Sequence, residues 1–151
     1  MPRRRRIRMD REAYEPYGGV FLLTICTVER RRIFADHRYA RSVFESILAG
    51  PLACEADLLA ACLMPEHLHL LLMPTETNAI PLINRWKIFT TNLLHRLGHA
   101  GPVWQRSFHG HALRGDEAES TVALYITNNP VQRGLVTEWK RYPYAWLKWG
   151  S

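Results

Sequence analysis

No apolar run in the 151 residues approaches the roughly 20 that a membrane-spanning helix needs, so the chain is not expected to cross a bilayer. Cysteine is scarce. Cys26, Cys54 and Cys62 form no C-x-x-C pair, and their odd count argues against a secreted disulfide framework. They read as small core residues in a reducing compartment. No hydrophobic segment follows the basic start Met1-Pro2-Arg3-Arg4-Arg5-Arg6-Ile7-Arg8, so it lacks the plan of a secretory signal and a cytoplasmic location is expected. There is also no internal repeat, no low-complexity linker beyond that arm, and no phosphate-binding glycine loop.

Acidic residues are in the minority. Lys and Arg number 20 against 14 Asp and Glu, giving a net charge of +6 and a pI near 9.6, which suits a partner covered in phosphates. A solvated basic protein without such a partner has the same composition, so charge alone does not decide. Arg3, Arg4, Arg5 and Arg6 would repel one another unless an anion lies nearby. The arm is therefore expected to order on nucleic acid, with a merely solvated tail as the alternative. A hydrophobic fraction of 47% and a charged fraction of 23% are those of an ordinary globular protein, long enough for one core. The expected division is a basic arm over 1–17, one folded domain over 18–136 and a C-terminal tail over 137–151.

Within the domain, residues 18–28 are β-branched and aromatic and predict a strand buried on both faces. Tyr39, Val43, Phe44, Ile47 and Leu48 recur at helical spacing over 37–49, with Gly50-Pro51 as the stop. The apolar runs 56–63 and 68–73 flank Pro65-Glu66 and predict a hairpin. A second helix is expected over 79–97, a further strand over 103–113, and a third helix over 116–129 with Asp116, Glu117 and Glu119 in its first turn and Pro130 ending it. The order β-α-β-β-α-β-α predicts an α+β, ferredoxin-like sandwich: a largely antiparallel sheet with helices mainly on one face.

His67 and His69 lie two apart in the run His67-Leu68-His69-Leu70-Leu71-Leu72, so a strand sends both imidazoles to one face and Leu68, Leu70 and Leu72 to the other. Two buried imidazoles cost several kcal/mol unless each finds a partner, and a shared divalent ion would satisfy both. A purely structural pair is the alternative. No cysteine stands at a matching spacing, which argues against a structural zinc site. An open site with one further amide or carboxylate ligand suits Mg2+ or Mn2+ and leaves room for a phosphate oxygen. Glu66 beside the pair either orients an imidazole or faces solvent; exposure is the favoured expectation.

On the third helix, Val122, Tyr125, Ile126 and Asn129 share one face by the i, i+3, i+4 rule. A phenol is a poor nucleophile at neutral pH, but a nearby cation favours phenolate and neutralises an attacked phosphodiester, and Asn129 can supply a third metal ligand. On spacing alone, a core tyrosine followed by a helix-ending Asn-Pro accounts for the same residues.

Four segments in order, LMPEHLHLLLMP, GPVWQRSFHGHALR, YITNNPVQRGLV and RYPYAW, together carry a family likeness. The chain resembles the single-tyrosine transposases of the His-hydrophobic-His class, and within them the REP-associated tyrosine transposases of bacteria. The resemblance implies that His67, His69 and Asn129 hold the metal, that Tyr125 attacks DNA, and that the substrate is single-stranded DNA beside a REP-like hairpin in the bacterial nucleoid. It also implies a monomer; insertion-sequence relatives resemble homodimers that exchange the tyrosine helix. Where relatives often carry Phe-His-Asp-His, this chain has Phe108-His109-Gly110-His111, and the missing carboxylate is expected to weaken a polar contact near the site.

The candidate nucleic-acid contacts are Arg3 to Arg6, Arg85, Lys87, Arg106, Arg114 and Arg133 for phosphates. Trp104, Phe108, Tyr142, Tyr144 and Trp146 are candidates for stacking on bases, with core packing as the alternative for each. His109 and His111 read as a nucleic-acid or network contact. Two other functions fit parts of the pattern: a hairpin DNA- or RNA-binding protein without chemistry, and a metal-dependent phosphodiesterase that uses water.

Overall fold

The structure is a computed structural model that describes residues 14–115 and 117–150; the Arg3 to Arg6 arm and Asp116 lie outside them. The main elements are strand β1 (Phe21–Cys26), helices α1 (His37–Ala49) and α2 (Pro51–Glu55), strands β2 (Ala56–Met64) and β3 (His67–Pro74), and helix α3 (Ala79–Arg96). Strand β4 (His109–Ala112), helices α4 (Glu119–Thr127) and α5 (Asn129–Gln132) and strand β5 (Ala145–Leu147) follow. The sheet order is β4-β1-β3-β2-β5, and every neighbouring pair is antiparallel. It is the expected α+β, ferredoxin-like arrangement.

Alternation along the strands divides two cores. Phe21, Leu23 and Ile25 of β1 and Leu68, Leu70 and Leu72 of β3 pack under α1 and α3, together with Val43, Ile47, Ile83 and Trp86. Each fully buried leucine there contributes about 2 kcal/mol of apolar burial. Asp36 and Asn78 start the two helices by accepting from the N–H groups of Arg38 and Ile80, each at 2.9 Å. The opposite sheet face is smaller. Ala60, Cys62, Met64 and Leu71 meet Ala123 and Ile126 of α4, with Trp139 and Tyr142 packed against the same cluster, so α4 and the segment after it lie over the face that carries His67 and His69.

Several boundaries differ from the sequence expectation. The strand foreseen over 103–113 shortens to β4, because Val103 and Trp104 turn into the core and leave a single bridge, Thr27 to Trp104. The third helix begins at Glu119 rather than 116: Glu117 instead accepts from the Arg114 N–H at 2.9 Å and from His111. Pro130 does not end the helical path. It lacks the N–H that would donate to Ile126, so the path breaks at Asn128 and resumes as α5. The stretch expected as a tail supplies β5, beside β2, and Tyr14 of the arm stacks on Phe21 with ring centroids 4.3 Å apart.

Candidate metal centre and strand-transfer site

The β2–β3 turn places Glu66, His67 and His69 on the α4 side of the sheet. Cross-strand register sets Cys26 opposite His67, and Thr24 opposite His69. The two imidazoles meet edge to face with ring centroids 4.6 Å apart. His67 is 6% exposed, so each ring nitrogen needs a partner.

Glu66 is buried, not solvent-exposed as the sequence suggested, at 5% exposure. Its Oε1 lies 2.9 Å from His67 Nδ1 and accepts from Arg133 Nη1 at 2.9 Å, while Arg30 Nη2 stands 3.8 Å away. Burial alone would raise the Glu66 pKa, but hydrogen bonds from Arg133 and His67 and their charges outweigh it and hold the carboxyl below its ordinary value. An ionised carboxylate only accepts, so His67 Nδ1 carries a proton and Nε2 presents a lone pair. Asn129 is at that lone pair, its Nδ2 3.3 Å from His67 Nε2. Thr24 Oγ1 lies 2.9 Å from His69 Nδ1 and can accept its proton, leaving the second Nε2 free in the same sense.

Burial pushes the His67 pKa down against the opposing pull of Glu66. Burial, His67 and Arg30 take His69 to about 3. Both imidazoles are therefore neutral at physiological pH, the state a metal ligand needs. Cys62, opposite His69 on β2, is pushed by burial to about 12 and stays a thiol. The donor set fits a divalent ion: two imidazole nitrogens, each backed by an oxygen partner at Nδ1, and an amide that presents Oδ1 after a half-turn.

Tyr125 stands apart from this group. It is 61% exposed, and among the described residues its hydroxyl makes no hydrogen bond. Of the four residues expected on one helix face, Ile126 packs against the sheet, Val122 is half-buried, Asn129 reaches His67 and Tyr125 faces solvent. Tyr125 lies near the C-terminal end of α4, and Asn129 opens α5 just past the break at Asn128.

The other candidates divide by environment. Lys87 is buried, with Nζ donating to Gln105 O at 2.6 Å and Arg106 O at 3.0 Å, which fixes the loop after α3 instead of leaving a free cation. Trp104 is buried too, its Nε1 donating to Thr90 Oγ1 at 2.9 Å, and Phe108 joins the same core. Arg85 is exposed and forks onto Glu55 at 2.9 and 3.1 Å. Arg106 and Arg114 are exposed. Tyr142 donates to Leu63 O at 2.6 Å, and Tyr144 pairs with His37 at 2.6 Å, so both tie β5 to the fold; Trp146 is half-buried.

His109 and His111 lie opposite Thr24 and Leu22, on the His69 side of the sheet, and His111 pairs with Glu117 at 3.1 Å. Gly110 points the other way. A Cβ there would run into the Tyr14 hydroxyl and close on Leu23. The missing carboxylate at 110 was expected to weaken a polar contact near the site, but position 110 faces the opposite core.

The family model described as Transposase IS200 like matches residues 20–129, which span every element from β1 to the start of α5. The chain belongs to this family. As an IS200-like transposase it is an enzyme that nicks and transfers DNA strands. A Haemophilus influenzae protein named for the REP-associated tyrosine transposases is 28% identical over 146 residues, covering 85% of this chain and 79% of its own. A solved REP-associated tyrosine transposase bound to a REP hairpin superposes with a TM-score of 0.70 at 21% identity, over 96% of this chain and 82% of that one. The superposition shows a shared fold. Arg30 was not foreseen as part of the site, and Glu66 was expected in solvent; the one signal in the sequence was the carboxylate immediately before the His-x-His pair.

Proposed function

We propose that this IS200-like transposase cuts single-stranded DNA beside a REP-like hairpin, in the bacterial cytoplasm at the nucleoid, through a covalent 5′-phosphotyrosine on Tyr125. The observation that carries the reading is the meeting of Asn129, the residue that opens α5 just after the tyrosine helix, with His67 Nε2, which brings that segment to the paired imidazoles within one chain. That contact also supports a monomer as the working unit. The REP hairpin bound to the similar solved transposase supports the choice of substrate.

His67, His69 and Asn129 would hold the divalent ion. When bound, Mg2+ or Mn2+ supplies positive charge to a non-bridging phosphate oxygen, and imidazole nitrogens favour Mn2+ in affinity. The Tyr125 oxygen attacks phosphorus as its proton leaves to solvent. The bond from phosphorus to the 3′ oxygen breaks, and that oxygen takes a proton to become a free 3′-hydroxyl. The phosphoester is conserved in the protein–DNA bond, so rejoining needs no nucleotide cofactor. Arg106, Arg114 and the Arg3 to Arg6 arm would contact phosphates along the strand, with His109 and His111 on the same side of the sheet as His69.

A labelled hairpin oligonucleotide with a single-stranded flank, incubated with Mg2+ or Mn2+ and resolved on a denaturing gel, tests this. A protein-linked strand and a fragment extendable by polymerase at its 3′ end are expected, both abolished by EDTA. Equal cleavage in EDTA would remove the metal role. A free 5′-phosphate without adduct would instead indicate attack by water.

A further inference from the structure

The turn between β1 and α1 brings another cation to the histidines. Glu29 and Arg30 both take left-handed backbone conformations, with φ of 53° and 54°, which residues with side chains seldom adopt. The turn is held by its neighbours. Thr27 N–H donates to Glu66 O at 3.0 Å, Thr27 Oγ1 lies 2.7 Å from Arg31 O and 3.0 Å from Glu66 O, and Val28 N–H donates to Val103 O at 2.8 Å. Strain maintained by so many bonds aims the Arg30 side chain back over β1. Its Nη1 donates to Cys26 Sγ at 3.2 Å, and Cys26 is the register partner of His67.

Arg133 comes from the other side, after α5, and donates to Glu66 at 2.9 and 3.5 Å. Two guanidiniums thus share one carboxylate beside the nitrogens that would receive a divalent ion. That is an excess of positive charge, and an incoming anion is what relieves it. The guanidiniums are also accessible, since the side chains are 52% and 43% exposed. Among the described residues, Arg30 spends one of its five N–H donors on Cys26, and the rest meet no acceptor within hydrogen-bond distance. The charge of Arg30 is felt by both imidazoles, opposing protonation of His67 and His69.

We propose that Arg30 is a catalytic residue that donates to a non-bridging oxygen of the scissile phosphodiester, with Arg133 flanking the same phosphate and Glu66 positioning both guanidiniums. This rests on the phosphotyrosine reading above. A planar guanidinium fork matches a phosphate's two oxygens, and the strained turn sets its direction before DNA arrives.

The test uses the full chain and hairpin oligonucleotides whose single-stranded flank carries one neutral methylphosphonate, moved position by position. In EDTA and a Tyr125→Phe background, fluorescence anisotropy reads affinity without chemistry. Arg30→Ala is expected to weaken binding of the all-phosphodiester oligonucleotide about 10- to 100-fold. It should cost much less on the oligonucleotide whose contacted phosphate is already neutral. With Mn2+ and Tyr125 present, Arg30→Ala should slow adduct formation about 100- to 1,000-fold, and Arg30→Lys should recover only part of the rate. Arg30→Lys in the anisotropy assay also guards against misfolding of the alanine variant.

Equal losses by Arg30→Ala at every methylphosphonate position, or adduct formation at the wild-type rate, would overturn the proposal. A wild-type protein that binds but never forms an adduct would refute the phosphotyrosine chemistry, while the EDTA comparison would still decide whether Arg30 reads a phosphate charge.

Discussion

Replacing Glu66 with glutamine keeps the side chain's shape and removes its charge, so Glu66→Gln isolates what the buried carboxylate does. The carboxylate side chain is 7% exposed and accepts from His67 Nδ1 and Arg133. A buried charge-assisted hydrogen bond contributes about 1.5–3 kcal/mol. Arg133 and Arg30 are half-exposed, however, so water recovers much of their loss, and only the His67 bond is fully protected. The amide also turns either its oxygen or its NH2 toward His67, and in each case one donor faces another donor. A net destabilisation of about 2 kcal/mol follows, equivalent to about 4–8 °C in Tm for a chain of this length. Because Glu66 also fixes the proton on Nδ1, Mn2+ affinity should fall about 10- to 100-fold. Scanning calorimetry and isothermal titration with Mn2+ measure the two effects. A Glu66→Gln variant with wild-type Tm and wild-type Mn2+ affinity would refute the claim that this carboxylate organises the site.

The histidines also set a pH dependence. Their folded pKa values lie below 6.5, near 3 for His69, so between those values the unfolded chain binds protons that the folded one excludes. Their contribution to stability is complete above pH 6.5 and is lost as pH falls, by up to about 1.4 kcal/mol per pH unit for each histidine; equal urea midpoints at pH 7.5 and 5.5 would contradict it. At the next strand, Gly110→Asp should cost about 1–3 kcal/mol, because the new side chain meets Tyr14 and Leu23 inside the larger core. It should not raise Mn2+ affinity, and a variant as stable as wild type would show that position 110 faces elsewhere.

The parts of this fold carried by periodicity were legible. His67, Leu68, His69 and Leu70 alternate as a strand must, and α1 runs from His37 to Ala49 as its apolar spacing requires. Side-chain environment was harder to read. Trp104 and Lys87 have the types of DNA-contacting residues, yet tertiary packing places both inside, with Thr90 and two backbone carbonyls as their partners. Glu66 carries a charge that favours solvent, and only the arrival of Arg133 and Arg30 from sequence-distant turns makes its burial tolerable. The left-handed turn at Glu29 and Arg30 has no glycine to announce it, because bonds from Thr27 and Val28 impose it. Gly110 reads as a lost carboxylate only against the Phe-His-Asp-His of the family it resembles, whereas alternation turns it to the other face.

The most direct measurement is the mass of the tyrosine peptide. Wild-type protein is incubated with Mn2+ and the hairpin oligonucleotide, digested with nuclease and trypsin, and sequenced by tandem mass spectrometry. The account predicts a nucleotide 5′-phosphate on Tyr125 and none on the Tyr125→Phe protein, which should still bind the hairpin. A nucleotide on another side chain, or cleavage by Tyr125→Phe at the wild-type rate, would contradict it.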